Sequence, residues 1–113
     1  MGNLGPGAVV LVRFPFSDLT SSKLRPAVVV AHAGGMDWVL SQVTSNPYGD
    51  RSAVELGAGA FSSGGLPRVS YVRPGKLFTA SDTIVVRVAG QLSGAAHRGV
   101  VDAIIQLLRS GLP

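Results

Sequence analysis

Branched aliphatic residues come in short runs along this chain, and the two densest runs lie close together near the amino terminus. Residues 8–14 (AVVLVRF) are apolar except for Arg13, and residues 27–31 (AVVVA) are apolar throughout. Runs of this length without alternation suit strands buried on both faces, because a half-solvated strand would alternate. Between them, residues 15–24 carry turn chemistry in Pro15, Ser17, Asp18 and Thr20-Ser21-Ser22. The pattern predicts a hairpin. Strand one covers 7–14 and strand two covers 25–32, with Pro26 at its start, where a missing N–H is tolerated. Phe14 and Phe16, with Lys23 and Arg25, fall in and around the hairpin loop.

Gly34-Gly35 marks the next turn, and residues 37–44 (DWVLSQVT) read as strand three. Residues 45–50 (SNPYGD) favour a loop at every position, and 53–56 form a short strand. The glycine-rich segment 57–67 reads as a mobile surface loop anchored by Phe61 and Leu66. Residues 68–72 read as a strand that ends in a turn at Arg73-Pro74-Gly75, and 76–79 are either extended or one helical turn. Residues 83–89 (TIVVRVA) form a further strand. Residues 93–109 predict a helix capped by Ser93. Val100, Val101, Ile104, Ile105 and Leu108 recur there at helical spacing, with His97, Arg98, Asp102, Gln106 and Arg109 on or near the other face and Gly111 as a stop. About six short strands and a terminal helix predict one mostly-β (α+β) domain over 1–113, a curved sheet or small barrel with the helix packed on it. Residues 1–6 read as a loose arm.

Composition changes this picture in two ways. Of the 113 residues, 46% are hydrophobic and only 14% charged, so part of the surface is expected to be covered, most simply in a homodimer. The formal net charge of +4 suits a polyanion or an acidic protein partner. There is no cysteine, which excludes disulfides and thiolate metal sites. The start MGNLGPG lacks the features of a secretory signal, and no apolar run approaches the ~20 residues of a membrane span, so a cytoplasmic location is expected.

No metal-binding constellation appears. His32 and His97 are far apart; His32 reads as structural and His97 as a helix-surface residue. The residue types of a Ser-His-Asp site are present without an elbow motif, and the glycine-rich loop lacks the lysine of a phosphate loop. What remains is a set of cations and hydroxyls at strand ends: Lys23, Arg25, Thr44, Ser45, Asn46 and Arg73. Each has a plain alternative, such as Arg73 pairing with Asp50 or Asp82. As a group they suit a phosphodiester, because arginine offers a planar fork of donors matched to phosphate oxygens. Phe14 and Phe16 can stack on bases.

Several ordered pieces resemble the MazF/PemK toxins. They are Gly7 with VVLVRFPFSD, Lys23-Leu24-Arg25-Pro26 with the valines that follow, and Gln42-Val43-Thr44-Ser45. Further on come residues 70–79 (SYVRPGKLFT) and Gly90-Gln91-Leu92-Ser93. The resemblance runs over nearly the whole chain. It implies a compact SH3-like β-barrel with a C-terminal helix, a homodimer, and cleavage of single-stranded RNA without metal or cofactor. In that chemistry the ribose 2′-OH attacks the adjacent phosphorus, leaving a 2′,3′-cyclic phosphate and a 5′-OH. The resemblance puts Arg25 and Thr44 in catalysis, with Arg25 stabilising the phosphorane and Thr44 holding a phosphate oxygen. It puts Phe16, Asp18, Lys23, Ser45, Asn46 and Arg73 in or near RNA contact. It also implies an antitoxin whose acidic, disordered tail covers the same groove. Some family members carry a further Arg-x-Asp arrangement whose arginine matches Arg73; this chain departs from it, since Gly75 stands at the aspartate position, and Asp18 is a possible substitute. Two other readings stay open: a CcdB-like toxin that binds DNA gyrase, and an SH3-like module without activity. The Arg-Pro and Val-Thr-Ser pieces favour the ribonuclease.

Overall fold

The computed structural model describes residues 4–15 and 22–113. Among the described residues, seven strands form one antiparallel sheet: β1 (Ala8–Pro15), β2 (Ser22–Gly34), β3 (Asp37–Thr44), β4 (Val54–Leu56), β5 (Phe61–Gly64), β6 (Ser70–Ser81) and β7 (Val85–Leu92). The helix α1 (Gly94–Arg109) follows. The spatial order β4-β6-β3-β2-β1-β7-β5 puts the valine-rich hairpin at the centre and the two shortest strands at the edges. The sheet curls into a half-barrel closed on one side by α1.

The unbroken valine runs follow from burial on both faces. Val9, Val28, Val43, Leu56, Val72 and Leu92 face α1 and pack with Val100 and Ile104. The neighbours in sequence, Ala8, Val10, Val12, Ala27 and Val29, pack with Leu40 on the opposite face. Successive side chains of a strand point to opposite faces, so β1 and β2 divide two cores. Burying each such valine contributes about 1.5–3 kcal/mol. The hairpin is longer than expected: β2 begins at Ser22 and runs to Gly34. The arm is not loose over the residues described, because Leu4 packs against the second core and Gln91 Nε2 donates to Pro6 O at 3.2 Å.

Two segments differ from expectation. The glycine-rich stretch holds β5, which pairs with β7. Its glycines serve close approach: a Cβ on Gly64 (φ +62°) would collide with Ala89 O, and one on Gly90 would meet Gly65 N at 2.8 Å. The predicted turn at Arg73-Pro74-Gly75 lies inside β6. Ser41 pairs with Leu77 but Val43 with Val72, so the residues between Val72 and Leu77 form a wide bulge. A bulge accepts a proline because no ladder N–H is required there. Buried Ser41 Oγ donates to Arg73 O at 2.8 Å, satisfying a carbonyl in the bulge. Residues 76–79 are extended.

The helix starts at Ser93, whose Oγ accepts from Ala96 N at 3.1 Å. Val100 and Ile104 are buried, whereas Ile105 and Leu108, expected on the same stripe, are exposed. His97 is not a surface residue. It is half-buried, and its Nε2 lies 3.3 Å from Val30 O, where it can only donate. His32 Nε2 reaches Gly35 O at 2.8 Å and its ring tilts against Trp38, so it clasps the β2–β3 turn.

Candidate functional site

Arg25 and Thr44 sit near the open end of the half-barrel, where β2 begins and β3 ends. Ala27 faces Gln42 across these strands, and continuing that register by two residues brings Arg25 level with Thr44. Both line a cavity of about 410 Å³. Ser45, Ser70, Arg68 and Arg87 line it too, with Leu11, Leu24, Pro26, Val43, Leu66 and Pro67 as an apolar wall. Three arginines and no carboxylate among these residues make it a site for an anion. Beside an apolar wall, the field of the guanidinium groups is less screened than in open water. Two other cavities carry fewer cations. One of about 290 Å³ beside β5 shares Arg68, and one of about 310 Å³ lies between Arg51-Ser52 and the end of α1.

Arg68 and Arg87 were not singled out in the sequence. Arg87 pairs with Leu11, and directly paired residues share a face, so it points where Leu11 points. The available signal was an arginine interrupting the apolar run TIVVRVA. Arg68 follows Pro67 at the end of the segment read as a mobile loop. Of the sequence candidates, Arg25, Thr44 and Ser45 come together in the cavity, while Lys23, Asn46 and Arg73 are not among its lining. Lys23 is exposed, two residues before Arg25. Phe16 and Asp18 lie outside the described residues.

The loop after Thr44 is braced by its own side chains. Thr44 Oγ1 donates to Asn46 O at 3.0 Å and accepts from Asn46 N at 3.1 Å. Asn46 Oδ1 accepts from Tyr48 N at 2.9 Å, and Asp50 Oδ1 accepts from Ser52 N at 2.9 Å. These are the local turns that short polar side chains favour. A phosphate oxygen bound by Thr44 would take the hydroxyl proton now given to Asn46 O.

Arg73 lies across the strand on β6. Its Nε donates to Asp50 Oδ2 at 3.1 Å, and its guanidinium carbon lies 5.9 Å from the centre of the Tyr48 ring. The plain alternative foreseen for Arg73, pairing with Asp50, is therefore present. The Arg73 hydrogen bond, followed by that from Ser52 N, holds the Asp50 carboxyl below the ordinary aspartate value against the opposing effect of burial. A Cβ on Gly75 would lie 3.4 Å from Leu107 Cδ2 of α1, so a side chain there would meet the apolar helix. Asp50 is the carboxylate that Arg73 has.

Among the described residues, no group of three or more His, Cys, Asp or Glu side chains could hold a metal ion, and no helix is long and apolar enough to cross a membrane.

No protein-family model matches the sequence, and neither does any curated protein. Solved structures do match. An endoribonuclease from a mycobacterial species, in complex with its cognate antitoxin, superposes with a TM-score of 0.74 over 98% of each chain at 18% identity. A chain of the MazE–MazF complex of Deinococcus radiodurans matches with a TM-score of 0.73 over 97% of each chain at 19% identity. The Mycobacterium tuberculosis toxin MazF-mt6 matches with a TM-score of 0.69 over 89% of this chain and 95% of that one, at 15% identity. From the curled seven-stranded sheet to the terminal helix, this chain has the fold of the MazF toxins.

Proposed function

We propose that the chain is the toxin of a toxin–antitoxin pair and an endoribonuclease acting on single-stranded RNA. The observation that carries the reading is the cavity in which Arg25 and Thr44 meet Arg68 and Arg87, on a fold shared with MazF endoribonucleases. Cationic forks beside an apolar wall accept a phosphodiester together with its ribose or base. The 2′-oxygen attacks the adjacent phosphorus and the 5′-oxygen leaves. The proton lost at the 2′-OH is regained at the 5′-oxygen, so the exchange consumes no water and needs no metal-activated nucleophile. The ends are a 2′,3′-cyclic phosphate and a 5′-OH.

Arg25 stabilises the charge that builds on the phosphorane, and Thr44 Oγ1 donates to one of its oxygens. Arg68 and Arg87 hold flanking phosphates. Ser45 and Asn46 contact the strand from the β3–β4 loop, Lys23 does so from the start of β2, and Phe16 and Asp18 are further contacts. Arg73 lies at the edge of the same groove. Cutting messenger RNA in the cytoplasm halts translation and growth. The antitoxin's acidic, disordered tail inhibits by neutralising the same arginines, and a homodimer covers the exposed apolar surface.

The test is incubation of purified protein with long single-stranded RNA in EDTA. Wild type is expected to cut it to cyclic-phosphate ends, and Arg25→Ala to lose at least about a hundredfold in rate, as for removal of one oxyanion donor. No cleavage of several unrelated RNAs by antitoxin-free protein would sink the reading.

A further inference from the structure

Tyr48 is 72% exposed, has a backbone φ of +54°, and has Arg73 Cζ over its ring at 5.9 Å. A bulky side chain is disfavoured in the left-handed region, where glycine would sit without strain. The loop nevertheless holds the tyrosine there, through the hydrogen bond from Tyr48 N to Asn46 Oδ1 at 2.9 Å. Strain of this kind persists where the surroundings enforce it, and it concentrates at functional positions. One face of the ring is turned to the guanidinium and the rest is open to solvent. Arg73 is itself held by Asp50 through Nε at 3.1 Å. Among the described residues that is the only hydrogen bond of its side chain, so its two terminal nitrogens remain for a ligand.

An exposed π-face beside a fixed cation is what an unpaired nucleobase recognises, since every base has a π-face of its own. The neighbouring guanidinium fork matches the phosphate joined to that base. The platform is also tied to Thr44, because Asn46 bonds both the Thr44 hydroxyl and Tyr48 N. We propose that Tyr48 is a stacking platform for one base of a bound single strand and that Arg73 holds the adjoining phosphate. The base lies next to the bond cut at Arg25 and Thr44, so Tyr48 contributes to sequence preference. The identity of the strand as RNA substrate rests on the ribonuclease reading.

The probe is single-stranded DNA of mixed sequence carrying 2-aminopurine, which lacks the 2′-OH and cannot be cut. Stacking quenches 2-aminopurine emission. Wild type and Tyr48→Phe are expected to bind and quench. Tyr48→Ala is expected to bind about tenfold more weakly without the quench. Tyr48→Gly, which relieves the backbone, is expected to lose the quench while melting no lower than wild type, which separates loss of the ring from loss of the fold. Tyr48→Ala that binds and quenches like wild type overturns the proposal, and so does wild type that fails to quench. Cleavage of ordinary RNA by the same preparations is read in parallel. Tyr48-dependent quenching without cleavage overturns the ribonuclease reading and leaves the platform standing. Cleavage without Tyr48-dependent quenching does the reverse.

Discussion

Asp50 links pH to stability through its hydrogen bonds from Arg73 and Ser52 N. Its carboxyl titrates below the ordinary aspartate value in the folded chain, chiefly because it accepts a hydrogen bond from Arg73. A depressed native pKa stabilises the fold at pH above the unfolded value of about 3.9. That contribution is lost as the pH falls through the native value. Melting temperatures of wild type and Asp50→Asn are therefore expected to differ most at neutral pH and to converge in acid; a gap that widens in acid would contradict the assignment. The arginines of the cavity make a separate residue-scale prediction. Replacing Arg68 or Arg87 by glutamine is expected to weaken binding of single-stranded RNA across sequences. Each is also expected to lower the slope of log affinity against log salt by roughly one, as for loss of one phosphate contact. A salt titration by fluorescence anisotropy measures both. Arg25→Lys keeps the charge but loses the planar fork, and is expected to retain more binding than activity.

At the scale of elements, the edge strand β5 turns on glycine. Gly90→Ala places a methyl against the backbone of residues 63 and 65 and is expected to cost about 1–3 kcal/mol in urea denaturation. Gly65→Ala, where a Cβ meets nothing within 4 Å, is expected to stay within about 0.5 kcal/mol of wild type. This pair also shows what the sequence made legible. The central strands were readable because Val9 and Val10, or Val28 and Val29, are buried on opposite faces and leave no polar position in the run. The helix was readable from Ser93 and its aliphatic spacing. β5 and the continuity of β6 were not, because glycine and proline signal turns locally. Here Gly90 admits a crossing strand and Pro74 sits buried in a bulge whose existence depends on the pairing of Ser41 and Val43. The cavity was half legible. Arg25 and Thr44 stood out at strand ends, but the place of Arg87 depends on its register with Leu11, which no local pattern encodes.

For the molecule as a whole, the two cores share one wall. Because β1 and β2 serve both, Val9→Ala or Val10→Ala is expected to destabilise by about 2–3 kcal/mol. A chain ended before Gly94 would leave Val9, Val28 and Val43 without Val100 and Ile104, and is expected to lose cooperative melting. The wall demands aliphatic volume rather than particular residues, and volume-conserving exchanges among such side chains are well tolerated. That accounts physically for a shared fold at 18% identity. It also makes the central hairpin a chassis. The segment that follows β3, residues 45–49, contributes to neither core. On the ribonuclease reading, exchanging residues 45–49 for those of a structural neighbour, with Asp50 kept, is expected to change which sequences are cut while leaving the melting temperature nearly unchanged. On that reading, a change of loop redirects the target while the valines of both cores stay silent.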